Sequence, residues 1–160
     1  MFCTDTKLGI SMKRLMFATV LGLVGPFALL GQAAANDGHV ATLKNVSGNI
    51  GIARNQTLLD AEPGMNLFVS DRITSGTDAS AGIVFRDGTQ LTVGPSTDIQ
   101  VRDYTFEPKQ SKYDFFLYLA RGAAVYSSGM IGKLAPEVVK VATPTATIGI
   151  RGTRFIIEAD

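Results

Sequence analysis

Residues 71–95 read DRITSGTDASAGIVFRDGTQLTVGP, and the turn at Asp87-Gly88 inside them decides the fold class. Gly82-Ile83-Val84-Phe85-Arg86 precedes that pair and Thr89-Gln90-Leu91-Thr92-Val93 follows it. An Asp-Gly pair between alternating runs predicts a two-residue hairpin turn at positive φ, because glycine has no Cβ to clash there. Side chains alternate across a strand, so Ile83, Phe85, Leu91 and Val93 share one face, while Arg86, Gln90 and Thr92 face the other way. The expected unit is an antiparallel hairpin with one wet side.

Outward from this hairpin the same pattern repeats. Glycines punctuate the chain, with short β-branched or aromatic runs between them about every 8–12 residues. Candidate strands are 40–46, 49–54, 67–69, 71–75 and 97–104, with Glu62-Pro63-Gly64 as a turn. Residues 104–113, YTFEPKQSKY, are the most polar stretch and read as a mobile loop. Residues 114–120, DFFLYLA, are ambiguous between a helical turn and a strand, and their aromatics favour a strand buried on both faces. Runs at 123–126 and 138–142 follow, then a single strand-like run over 146–157. The chain is therefore expected to be all-β: one compact domain of many short, mostly antiparallel strands. No fixed repeat period is present, and a twisted sandwich and a solenoid-like coil both remain open.

Residues 1–35 read as a secretory signal peptide. Lys13 and Arg14 precede an apolar run from Leu15 to Leu30, and Ala33 and Ala35 supply the small pair before a cut. Met12 is an alternative start. The competing reading is an uncleaved anchor, but the run is interrupted by Pro26 and falls short of the roughly 20 residues that span a bilayer. Either way the basic end stays inside and residues 36–160 form the exported domain. That domain holds twelve basic and thirteen acidic groups. A balance so close to neutral offers no electrostatic reason to bind nucleic acid or an anionic lipid surface. The one cysteine, Cys3, lies in the leader, so neither disulfide nor thiolate chemistry is available beyond it.

Residues that could carry chemistry are few. His39 is the only histidine and reads as a solvated side chain near the mature terminus, a poor place to hold a catalytic imidazole. Without a Cys/His cluster, an imidazole- or thiolate-bound metal has no ligand set. Asp71, Asp78 and Asp87 lack the spacing of a calcium loop and read as turn aspartates. Thirteen acids make some carboxylate pair inevitable, so a glycosidase pair carries no signal. Gly129-Met130-Ile131-Gly132-Lys133 lacks the spacing and the hydroxyl of a phosphate loop. Asn45-Val46-Ser47 and Asn55-Gln56-Thr57 are glycosylation sequons, meaningful only on a eukaryotic secretory route. No catalytic, cofactor-binding or metal-binding residue is assigned. The tail Thr143-Pro144-Thr145-Ala146-Thr147-Ile148-Gly149-Ile150-Arg151-Gly152-Thr153 stands apart. Two glycines three apart in a β-branched run predict a close backbone approach or a bulge. Arg151 between them carries a rigid five-donor fork, suited to locking a neighbouring turn or to meeting a partner.

Taken in order, these motifs resemble the FecR periplasmic domain. The resemblance rests on Asp71-Arg72-Ile73-Thr74-Ser75-Gly76, on Phe85-Arg86-Asp87-Gly88-Thr89-Gln90-Leu91, and on Gly94-Pro95. It continues through Arg121-Gly122, Gly129–Lys133 and the tail from Thr143-Pro144 to Gly149-Ile150-Arg151-Gly152-Thr153, covering roughly 40–157. It implies a bacterial, all-β, extracytoplasmic domain of a family whose best-known members relay the occupancy of an iron-siderophore receptor to a sigma factor. Those regulators carry a cytosolic anti-sigma segment before a membrane helix and a further domain after the FecR domain. Here only 11–14 residues precede the apolar run, so the expectation is the sensing or scaffolding module alone. The function expected is a non-catalytic exported binding or sensing module whose partner is an envelope protein or polymer, with membrane contact only through an uncleaved leader. The alternative is a structural subunit that self-associates as a homo-oligomer through edge strands, and a hydrolase is the remote third.

Overall fold

The computed structural model describes residues 38–160. The leader, with Met12 and Cys3, lies outside the described residues. Twelve strands follow in chain order: β1 Ala41–Ser47, β2 Ile50–Arg54, β3 Thr57–Asp60, β4 Asn66–Leu67, β5 Arg72–Ser75 and β6 Ser80–Phe85. Then come β7 Gln90–Val93, β8 Asp98–Glu107, β9 Lys112–Ser127, β10 Val139–Ala142, β11 Thr147–Gly149 and β12 Arg154–Ala159. One short helix, α1 (Met130–Leu134), lies between β9 and β10. The strands form a single curled sheet in the order β3-β2-β5-β8-β9-β7-β6-β1-β4, with β10 and β12 also on β9 and β11 on β10. The all-β expectation holds. Between sandwich and solenoid, the outcome is a curled sheet: its ladders are antiparallel except for β10 on β9.

The Asp87-Gly88 hairpin is where the sequence places it, and its faces are as expected. Ile83 pairs with Leu91 and Ala81 with Val93; Ile83, Phe85, Leu91 and Val93 are buried while Arg86, Gln90 and Thr92 are exposed. The turn type differs. The Phe85 amide donates to the Thr89 carbonyl, and the Gly88 amide donates back to the Phe85 carbonyl. Only Gly88 has positive φ, at 84°. This is a three-residue loop, a tight turn followed by a left-handed glycine, and it turns the Asp87 side chain inward. The two-residue turn with both positions at positive φ occurs instead at Asn55 (47°) and Gln56 (67°), joining β2 to β3.

β9 organises the sheet. Its sixteen residues join the aromatic run at 114–120 and the run at 123–126 into one strand. Along one edge it pairs with β8 and then β7, antiparallel throughout. Along the other it pairs with β10, in parallel over Phe115–Tyr118, and then with β12 over Gly122–Ser127. The expected loop at 104–113 is mostly strand. β8 runs on to Glu107 and only a short 3₁₀ turn separates it from β9. The physical reason is cross-strand pairing: Tyr104 lies opposite Phe115, and Phe106 opposite Tyr113 with ring centroids 6.2 Å apart. The expected single strand at 146–157 is broken into β11 on β10 and β12 on β9, with residues 150–153 between them.

β9 bends at Gly122, whose φ is 87°. A Cβ there would lie 2.4 Å from Thr97 Oγ1 and 2.5 Å from Thr97 Cα, so glycine is required twice over. Gly88 also has positive φ but open space around it. Gly122→Ala is therefore expected to destabilise the domain by about 3 kcal/mol or more, and Gly88→Ala by about 1–2 kcal/mol. Urea unfolding of the two variants checks the difference; equal losses would mean that the close approach contributes nothing.

Candidate functional site

Three sets of residues stand out, two buried and one exposed. The first is centred on Asp87. Its side chain is only 3 % exposed, so its carboxylate requires compensating donors. Oδ2 accepts from the Thr89 hydroxyl at 2.6 Å and from the Ile131 amide at 3.1 Å. Oδ1 accepts from the Thr89 amide and the Tyr104 hydroxyl, both at 3.2 Å. Tyr104 also accepts from the Asp87 amide at 2.9 Å. The Asp87 carbonyl takes the Met130 amide at 2.8 Å, and the Gly129 amide donates to Thr89 Oγ1 at 3.1 Å. The free amides at the start of α1 are thus met by the hairpin turn. A Cβ on Gly129 would fall 2.2 Å from the Thr89 nitrogen, so this docking needs glycine at that position.

The second buried set joins three loops. Ser75 Oγ donates to the Gly94 carbonyl at 2.6 Å and accepts the Thr97 amide at 2.8 Å. Thr97 Oγ1 shares its proton between the Pro95 and Ala123 carbonyls and accepts the Ala123 amide at 3.1 Å. Two ion pairs flank it. Arg54 binds Asp71 through two bonds of 2.8 and 2.6 Å and stacks over Phe68. Arg72 grips Asp98 with the same two-pronged geometry. In both pairs the hydrogen bond to the carboxylate raises the arginine pKa further. Arg72 is largely exposed, so its pair contributes about 1 kcal/mol or less.

The third set is the exposed tail. Thr143 and Pro144 form the turn between β10 and β11, where Thr143 Oγ1 accepts the Ala146 amide at 3.1 Å. Gly149, Arg151, Gly152 and Thr153 are exposed, and nothing lies within 4 Å of a Cβ built on either glycine. The close approach expected at these glycines is therefore absent. Arg151 makes no side-chain hydrogen bond or ion pair among the described residues, so the turn-locking role expected for it is not found. A cleft of about 450 Å³ runs between this segment and β12, lined by Val141, Ile148, Arg151, Phe155, Ile156 and Glu158 among others. A second hollow of about 440 Å³ lies on the Pro136-Glu137 side of Arg151.

The structure thus separates residues the sequence grouped. Asp87 is an internal support and Gly88 the exposed corner of its turn. The remaining site residues gather around the cleft or the turn leading into it. Sequence reasoning missed Thr89, Tyr104, Ser75 and Thr97, all buried polar side chains that bind backbone. The available signal was Thr89 two residues after Asp87, on the inward side of the alternation. His39 is half-buried rather than solvated. Asp78 lies exposed beside Thr77, and among the described residues no three acids, histidines or cysteines gather into a group that could hold a metal ion.

Burial pushes the Tyr104 phenol up from its ordinary pKa near 10, and the adjacent Asp87 carboxylate pushes it the same way. Burial raises Tyr126 as well. The unfolded chain ionises first, so stability from each group is full below about pH 10 and is lost as pH climbs towards the folded value. Each phenol steepens that loss by up to about 1.4 kcal/mol per pH unit. Tyr104→Phe is expected to flatten the alkaline decline measured by urea unfolding between about pH 10 and 11.5. An unchanged slope would remove Tyr104 as its source. Asp87→Ala, which orphans the Ile131 amide and the Thr89 hydroxyl, is expected to cost about 3 kcal/mol or more at neutral pH in the same assay.

The FecR protein family model matches residues 71–160, beginning at Asp71 just before β5, and so takes in the Asp87 set, the Ser75–Thr97 network and the exposed tail, while Arg54 and Phe68 precede it. β1–β4 precede the matched segment. No curated protein and no solved structure matches the chain. Among the described residues no helix is long and apolar enough to cross a membrane. With more than half its length matched, and with the matched motifs building the hydrogen-bonded supports of its sheet, the chain belongs to the FecR family.

Proposed function

We propose that this protein is a non-catalytic sensing module of the bacterial envelope, exported by its leader, that meets a partner protein through the segment from Thr143 to Thr153. One observation carries the reading. The other family motifs are used up internally, in the Asp87 and Thr97 networks, whereas the tail motif is exposed and leaves a charged fork beside a partly apolar cleft. Family membership supports a regulatory role, since signal relay rather than chemistry is what FecR proteins are known for.

Arginine is enriched where interfaces concentrate their energy, and an apolar cleft beside it offers an anchor pocket. An acidic or carbonyl-rich segment of an envelope protein suits this surface. Since Arg151 has no side-chain partner to lose among the described residues, Arg151→Glu is expected to change folding stability by no more than about 0.5 kcal/mol. It is expected to reduce capture of the partner at least about tenfold. A photo-crosslinker at Ile148 in the exported protein should trap the same partner, and one at the exposed Leu58 of β3 should not. Equal trapping at both positions, or unchanged capture by Arg151→Glu, would overturn the proposal.

A further inference from the structure

β12 is the longest strand of the sheet with only one paired edge among the described residues, bonding to β9 and to no other strand. The other such strands are short: β3 has four residues, β11 three and β4 two. Exposed edges are normally guarded by proline, a bulge, charged side chains, a covering loop or brevity. β12 has neither proline nor bulge, and its two charges, Arg154 and Glu158, flank an apolar centre with the 148–151 segment across the cleft. Its register against β9 is unbroken from Arg154 to Ala159, and Ile156 at its centre is 72 % exposed. The cleft touches Phe155, Ile156, Ile157 and Glu158 in succession. The cleft therefore lies against consecutive residues of β12, with Ile148–Arg151 on its other side.

The sequence of this edge identifies its occupant. Around Ile156 the strand reads Arg154-Phe155-Ile156-Ile157-Glu158. Placed antiparallel against a second copy about a two-fold axis through Ile156, Arg154 falls opposite the other copy's Glu158, and Ile156 opposite Ile156. Phe155 falls opposite Ile157 on the other face. Both charge pairs are opposite in sign and all three apolar pairs match, each a favourable cross-strand pairing. An isologous contact requires this self-complementarity. Neither Arg154 nor Glu158 has a hydrogen-bond or ion-pair partner among the described residues. We propose that β12 pairs with β12 of a second copy of this chain, joining two sheets across a two-fold axis. Arg151, on the facing wall of the cleft, is the nearest other charge of the tail and takes no part in the register.

Charge exchange tests the register. The wild-type chain should form a reversible dimer by sedimentation velocity at about 0.1–1 mM, as expected for a small interface. Arg154→Glu alone and Glu158→Arg alone each set like charges opposite one another twice and should weaken it at least about tenfold. The double exchange should restore it, as should an equimolar mixture of the two single variants. Arg151→Ala should leave it unchanged, so that loss of the dimer and loss of the partner proposed above are separate readouts. In a Cys3→Ser background, Ile156→Cys should oxidise to a cross-linked dimer, because the two-fold axis brings the paired Cα atoms within disulfide range. Leu58→Cys, on a side chain of equal exposure, should remain reduced. A wild-type chain that stays monomeric at about 1 mM, a double exchange that fails to restore the dimer, or equal cross-linking at both cysteines would each overturn the pairing.

Discussion

The structure depends on a buried carboxylate held by neutral donors. Among the described residues Asp87 has no cation within bonding distance; its oxygens are met by a hydroxyl, a phenol and two amides. Removing such a group from water costs several kcal/mol, and only complete hydrogen bonding offsets it. That requirement draws three elements to one point: the β6–β7 turn, β8 through Tyr104, and the first turn of α1. It also explains why two motifs 44 residues apart in sequence form one physical unit. From this point an aromatic chain runs through the core. Phe85 and Tyr104 meet Phe115, Phe115 meets Tyr126, and Tyr126 stacks on Phe155 of β12 at 4.7 Å. The buried network and the open strand edge are therefore mechanically continuous.

The bend at Gly122 sets what that edge looks out on. Thr97 fills the space that any side chain at Gly122 would need and ties the β7–β8 connection to the backbone beyond the bend. As a result β9 turns away partway along its length, so that β10 and β12 share one of its edges without forming a continuous ladder with each other. The chain between them, from Thr143 to Thr153, crosses the gap with little to bury. Most of it is exposed, and Ile148 to Arg151 line the cleft beside β12.

Local patterns reported the strands well, because alternation needs only neighbouring residues. Ile50 and Ile52 in β2 are buried as the pattern requires. In β9 the run read as buried on both faces is a strand, but only Phe115, Leu117 and Leu119 are fully buried, while Phe116 and Tyr118 on the other face are half-buried. Errors came where a distant partner overrode local character. Residues 104–107 look polar, yet they extend β8 because Tyr113 and Phe115 lie opposite. Residues 146–157 look like one strand, but the bend leaves each half a different neighbour. Asn55-Gln56 forms the tight hairpin without a glycine, so its sequence carries no strong turn signal, while Asp87-Gly88 carries the strong signal and adopts the longer loop.

From its residues alone, this chain can be assigned to the all-β class and to the family its motifs share, and its hairpin faces can be told apart. These follow from period-two alternation and from the backbone freedom of glycine, which act over a few residues. Which polar side chains are buried, which arginines find a side-chain partner among the described residues, and which strand keeps an open edge there were decided only on folding. Each depends on what lies opposite in space, and long-range pairing along β9 determines that.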